Sequence, residues 1–168
     1  MTAIRWLRTG GHEHGVEPQR VVLMGESAGA TLCALAAATL QEQGEQQVSG
    51  LVLFYGNLGG PTAKTRAYSR WVWANFLGTD ELPPNPAAVP TQVKLSGLPP
   101  TWLGVGEADP LLGDSLEFAE KLRDAGVKHT LKRYPGLPHA FVMMSRLYQG
   151  ADAALDDAAA AAKGFAKR

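Results

Sequence analysis

Apolar and polar positions alternate along this chain in blocks that change period. "TAIRWLR" near the start has a helical spacing that puts Ile4 and Leu7 on one face, and "TGGHEHGVEPQ" after it reads as loop. "VVLMG" (21–25) is short, β-branched and apolar throughout, as expected of a strand covered on both faces. Residues 27–43 follow a helical pattern that predicts Leu32, Leu35, Ala36 and Leu40 as the inward face, with Gly44 as the stop. "GLVLFYG" (50–56) predicts a second buried strand, and "TWLGVGE" (101–107) and "TLKRYPG" (130–136) a third and fourth. An amphipathic helix over 115–126 separates the last two and ends at Gly126. An alanine-rich helix closes the sequence.

Strands separated by helices predict an α/β fold: a parallel sheet with right-handed crossovers, flanked by helices. The stretch 57–100 breaks the rhythm with "AYSRWVWANFLG" and then the Pro-rich "ELPPNPAAVP". It is expected to be an excursion over the C-terminal edge of the sheet within one domain spanning 1–168. No internal repeat is visible.

Composition narrows the function classes. Of 168 residues, 45% are hydrophobic and 19% charged, with Lys+Arg equal to Asp+Glu, which describes a soluble globular domain. Zero formal net charge gives no electrostatic case for nucleic acid or an anionic membrane surface. Cys33 is the sole cysteine, so no intramolecular disulfide exists. The opening residues lack the apolar core of a signal peptide, and no apolar run is long enough to span a bilayer. A cytoplasmic location is the expectation.

The candidate chemistry lies in "VVLMGESAGATL". Gly25-Glu26-Ser27-Ala28-Gly29 between a strand and a helix fits a nucleophile elbow, in which a tight turn exposes a serine hydroxyl above the sheet. A plainer role for Ser27 is helix N-cap. A serine nucleophile needs a base, and the base an orienting carboxylate, in the order Ser, acid, His on this type of scaffold. His139 in "YPGLPHAF" follows the fourth strand, whereas His12 and His14 precede the elbow and His129 begins a strand. Asp109, just after the third strand, is the favoured acid; Glu107 and Asp114 are its rivals, Asp114 also being placed to cap a helix. Glu26, Tyr55, Leu58, Trp71 and Phe76 are candidate substrate contacts near the expected site, with Trp73 and Leu77 beside them; packing is the plainer role for the aromatic ones. His12, Glu13, His14 and Glu17 share a glycine loop without a further ligand in view, so no metal is expected.

These residues resemble the hormone-sensitive-lipase-like esterases of the α/β-hydrolase group. "GESAGA" is similar to that family's elbow, "LSGLPPTWLGVGEADPLLGDSLEFAEKLRDAGV" to its segment around the acid, and "YPGLPHAF" to its histidine loop. The resemblance covers the C-terminal half to two-thirds of the family. It implies hydrolysis of small carboxylic esters, with Ser27 as nucleophile, His139 as general base, Asp109 as its partner and the Ala28 N–H as an oxyanion donor. It implies no metal or organic cofactor. Ala30 and Gly113 depart from the family pattern in small ways. The family's upstream His-Gly-Gly-Gly-type loop and first four strands have no counterpart, since "GGHEHG" (10–15) lies too close to the elbow. The expectation is therefore a truncated, roughly four-stranded hydrolase with modest esterase activity on short acyl chains. Competing readings are a non-catalytic remnant or interaction module, and another serine hydrolase such as a peptidase or acyltransferase. The strand at 21–25 becomes an apolar sheet edge, which predicts a homodimer or higher oligomer covering it.

Overall fold

A computed structural model describes residues 1–16, 20–45, 48–62, 67–82 and 84–167. In chain order these residues form α1 (Thr2–Gly10), β1 (Val21–Glu26), α2 (Ala28–Glu42), β2 (Val48–Phe54), α3 (Ala67–Leu77), β3 (Thr101–Gly106), α4 (Leu112–Asp124), β4 (His129–Tyr134) and α5 (Gln149–Ala166). The four strands make one parallel sheet in the order β1-β2-β3-β4. Between β2 and β3 the chain carries α3 and two short 3-10 turns, Pro86–Ala88 and Pro90–Gln92. No helix among the described residues is long and apolar enough to cross a membrane.

Each face of the sheet has its own core. On one face Leu51, Leu53 and Leu103 meet Ala30, Ala34 and Ala38 of α2 and Phe118 and Leu122 of α4. On the other, Val52, Phe54 and Trp102 meet Ala151, Ala154 and Ala158 of α5 together with Phe141. The alternation along β2 is the two-residue period of a strand enclosed by helices.

The inward face of α2 differs from the sequence expectation. Ala30, Ala34, Ala37, Ala38 and Leu40 are buried, Leu35 and Ala36 are half-buried, and Leu32 is 54% exposed. The cause is proximity. A Cβ on Gly25 would collide with the Gly29 carbonyl group, so α2 lies too close to β1 for large side chains between them. Leu32 and Leu35 give way to alanines along this contact, while Leu40, near the far end of the helix, stays buried.

Element ends also move slightly. β1 runs to Glu26, β2 begins at Val48, and α4 starts at Leu112 rather than Ser115. In α1 Ile4 is buried and Leu7 half-buried. The loop 11–14 is a 3-10 turn, in which His14 stacks on Trp6 with ring centroids 5.5 Å apart.

Candidate active site

β1 ends and α2 begins across one residue, Ser27, held at φ 50 and ψ −118. That backbone is strained for a residue with a Cβ. It is fixed by the Ser27 N–H donating to the Phe54 carbonyl at 3.0 Å and by the Ser27 carbonyl accepting from Ala30 at 3.1 Å. The Ser27 side chain does not cap α2.

Its hydroxyl lies 2.9 Å from His139 Nε2, a residue 112 positions away in sequence. His139 stands in the loop after β4, beside Ala140 in a left-handed conformation at φ 60. Its Nδ1 lies 2.9 Å from Asp109 Oδ2. An ionised carboxylate only accepts, so Nδ1–H donates to Asp109 and Nε2 keeps a lone pair for the serine proton. Asp109 is 4% exposed, and its other oxygen accepts from the Leu111 N–H at 2.7 Å. The hydrogen bond from His139 to Asp109, with the charges of Asp109 and Glu26, raises the imidazole pKa above its ordinary value against the opposing effect of burial.

Three carboxylates competed for the histidine in the sequence. Glu107 pairs instead with Arg133 at 2.8 Å. Asp114 accepts from the Leu58 and Gly59 N–H groups at 3.0 and 2.8 Å, tying α4 to the loop after β2; burial pushes its carboxyl pKa up. Asp109 alone of the three meets the imidazole. The acid and histidine loops are stitched together by Ala108 N–H to the Leu137 carbonyl at 3.1 Å and Glu107 N–H to the Tyr134 carbonyl at 2.9 Å.

Ala28 is the first residue of α2, where an N–H has no acceptor within its own helix. It also lines a cleft of about 90 Å³ together with Thr31, Leu32, Asn57, Val72, Trp73 and Phe76. The polar groups in this lining are engaged with one another: Thr31 Oγ1 donates to the Asn57 carbonyl at 2.7 Å and Trp73 Nε1 to Asn57 Oδ1 at 3.1 Å. What remains facing the cleft is largely apolar.

Several expected substrate contacts are corrected. Leu58 is fully buried in the α2 side of the core. Tyr55 is likewise fully buried, because its ring packs against His139 and Phe141 at centroid distances of 5.0 and 5.2 Å. Trp71 is 63% exposed and is not among the cleft residues, since helical geometry turns it away when Val72, Trp73 and Phe76 face inward. Leu77 lines a separate small depression with Pro61 and Arg70. Glu26 is half-buried at the end of β1. Sequence reasoning missed Thr31, Leu32, Asn57 and Val72. Thr31 was in principle legible, standing one helical turn after Ser27.

Among the described residues no cluster of His, Cys, Asp and Glu side chains is suited to hold a metal ion. Glu17, considered with the loop histidines, lies outside the described residues.

A protein-family profile described as alpha/beta hydrolase fold matches residues 1–143. An esterase of Acinetobacter venetianus is 32% identical over 158 residues, covering 86% of this chain and 52% of that protein. A thermostable carboxylesterase cloned from a metagenomic library superposes with a TM-score of 0.82 at 30% identity, over 97% of this chain and 60% of its own. A bacterial esterase of the hormone-sensitive lipase family gives a TM-score of 0.82 at 25% identity, over 98% of this chain and 57% of its own. The chain thus spans about half the length of the curated relatives it matches. From the profile match over residues 1–143, the chain belongs to the alpha/beta hydrolase fold family.

Proposed function

We propose that this chain is a serine carboxylesterase acting on small esters with short acyl groups, as one catalytic unit over 1–168. The observation that carries the reading is the continuous hydrogen-bonded line from Ser27 Oγ through His139 to Asp109, with both contacts at 2.9 Å. Ser27 Oγ attacks the ester carbonyl carbon while its proton passes to His139 Nε2. The Ala28 N–H donates to the resulting oxyanion. The imidazolium, held by Asp109, gives the proton to the departing alkoxide, and the alcohol leaves an acyl-serine. Water then attacks that ester with His139 taking its proton; the acid departs and Ser27 regains its hydrogen. No metal or organic cofactor takes part.

The cleft next to Ala28 supports the acyl preference. Its volume is about 90 Å³ and its lining of Ala28, Leu32, Val72, Trp73 and Phe76 is apolar, which suits a small acyl group. The Ala28 N–H supplies one oxyanion donor, and the loss of one such donor costs about 10²–10³ in turnover.

Turnover of p-nitrophenyl acetate and butyrate tests the reading. Wild-type protein should hydrolyse both and Ser27→Ala should lose the activity. Equal rates for the two proteins would reject Ser27 as nucleophile.

The reading also includes a cytoplasmic enzyme, its single thiol Cys33 being free, and a homodimer or higher oligomer. β1 is an edge of the sheet with an apolar sequence, and Met24 is 53% exposed. An unprotected apolar edge is a ready template for another strand, and a second copy is the occupant proposed. Light scattering at micromolar concentration should give at least twice the monomer mass; a monodisperse monomer would count against the assembly.

A further inference from the structure

Three non-glycine residues among those described have positive φ: Ser27 at 50, Ala140 at 60 and Tyr55 at 35. Such backbone is strained for a residue with a Cβ and gathers at functional sites. The first two bracket the serine–histidine contact. Tyr55, just beyond β2, is the third member of the group and has no place in the hydrolytic steps.

Its surroundings give it one. The Tyr55 N–H donates to the Gly104 carbonyl at 2.7 Å, which anchors the strained residue to β3. Its ring stands edge-on to the His139 imidazole, centroids 5.0 Å apart and planes at 63°. It also packs on Phe141, 5.2 Å away at 66° and itself fully buried, and on Phe54 at 5.9 Å. The imidazole therefore rests on a rigid aromatic stack rooted in the sheet. The Tyr55 hydroxyl is buried beside the Glu26 carboxylate and the Val142 backbone, while its ring makes the contact with the imidazole. Glu26 sits in register with Phe54, immediately before Tyr55, and immediately precedes Ser27. The charged groups that act on His139 are Asp109, from the turn after β3, and Glu26, from the end of β1.

We propose that Tyr55 and Glu26 are positioning residues for His139, the Tyr55 ring bracing the imidazole and the Glu26 carboxylate supplying a second negative charge for the imidazolium. The proposal rests on the esterase reading of the site for its purpose. Its geometry does not.

The test is an NMR titration of the His139 ring in the full chain, which needs no substrate. Glu26→Gln should lower the His139 midpoint, by less than Asp109→Asn lowers it. Tyr55→Ala should cut kcat about ten-fold or more with KM little changed, and Tyr55→Phe should rescue it, because the ring is retained. An unchanged midpoint in Glu26→Gln alongside a shift in Asp109→Asn would overturn the role of Glu26. Phe at position 55 failing as badly as Ala would overturn the brace. Should the wild type show no hydrolysis while the Glu26→Gln midpoint still falls, the esterase reading fails and the electrostatic role of Glu26 stands.

Discussion

Gly106 has no room for a side chain because the Leu137 carbonyl occupies the place its Cβ would take. This contact joins the end of β3, which leads to Asp109, with the loop that leads to His139. Gly106→Ala should push the loops apart, since inserting atoms into a packed contact costs about 1–3 kcal/mol. The expected outcome is a lowered melting temperature and a loss of esterase turnover larger than the stability change explains. Thermal melts and initial rates on the same preparation check this. Unchanged rates would mean that the two loops do not depend on this contact.

The pH profile follows from the imidazole. His139 acts as a base only when neutral, and its hydrogen bond to Asp109 raises its pKa above 6.5. The acid limb of kcat/KM should therefore have its midpoint above 6.5, with activity rising as pH rises through it. Asp109→Asn should move that limb to lower pH and reduce kcat by roughly 10⁴-fold, the effect of losing the carboxylate that orients the tautomer. Stability runs the other way. A raised histidine pKa stabilises the fold fully below the unfolded value near 6.5, and that contribution fades as pH rises through the higher folded value. Chemical denaturation across this range should show the fade in the wild type and a weaker one in Asp109→Asn.

Asp114 acts on the fold through two backbone N–H groups. Asp114→Ala leaves the Leu58 and Gly59 N–H groups without their acceptor and should destabilise by about 1–3 kcal/mol. Asp114→Asn keeps an acceptor oxygen and should cost less. Burial raises the Asp114 pKa, so the contribution tied to its protonation is complete below the unfolded value of 3.8 and is lost as pH rises through the folded one. The stability of Asp114→Asn relative to wild type should consequently improve between pH 4 and pH 7. Urea midpoints at the two pH values decide the point.

Phe76 and Leu32 are exposed residues at the apolar cleft, and Trp73 is its buried wall. Phe76→Ala should open the cleft and shift preference from butyrate towards hexanoate and octanoate p-nitrophenyl esters. The ratio of kcat/KM values along an acyl series is the measurement. A series unchanged in rank would separate this cleft from the acyl group.

Much of this architecture is written in short-range pattern. "GLVLFYG" and "TWLGVG" announce buried parallel strands by unbroken apolar runs. "VVLMG" announces a strand that, at the sheet edge, is only partly covered, with Met24 53% exposed. Gly44 marks the end of α2 as a helix stop should. The positions of Ser27, Asp109 and His139 after β1, β3 and β4 were legible because chain order and loop placement are local properties. What escaped was set by distance across the fold. Leu32 looks like a core residue until the helix approaches the strand too closely for it. Tyr55 and Leu58 look like pocket walls until the loop folds them under His139 and α2. The choice among Glu107, Asp109 and Asp114 needed the partners Arg133, His139 and the Leu58–Gly59 backbone, which no local spacing reveals.

The central claim is that His139 activates Ser27 for attack, and covalent capture examines it most directly. The intact chain is incubated with a p-nitrophenyl alkylphosphonate, digested, and the modified peptide sequenced by mass spectrometry. The account predicts one adduct per chain on the peptide carrying Ser27, formed far more slowly in His139→Ala. Absence of an adduct at Ser27, or equal rates in wild type and His139→Ala, would contradict it.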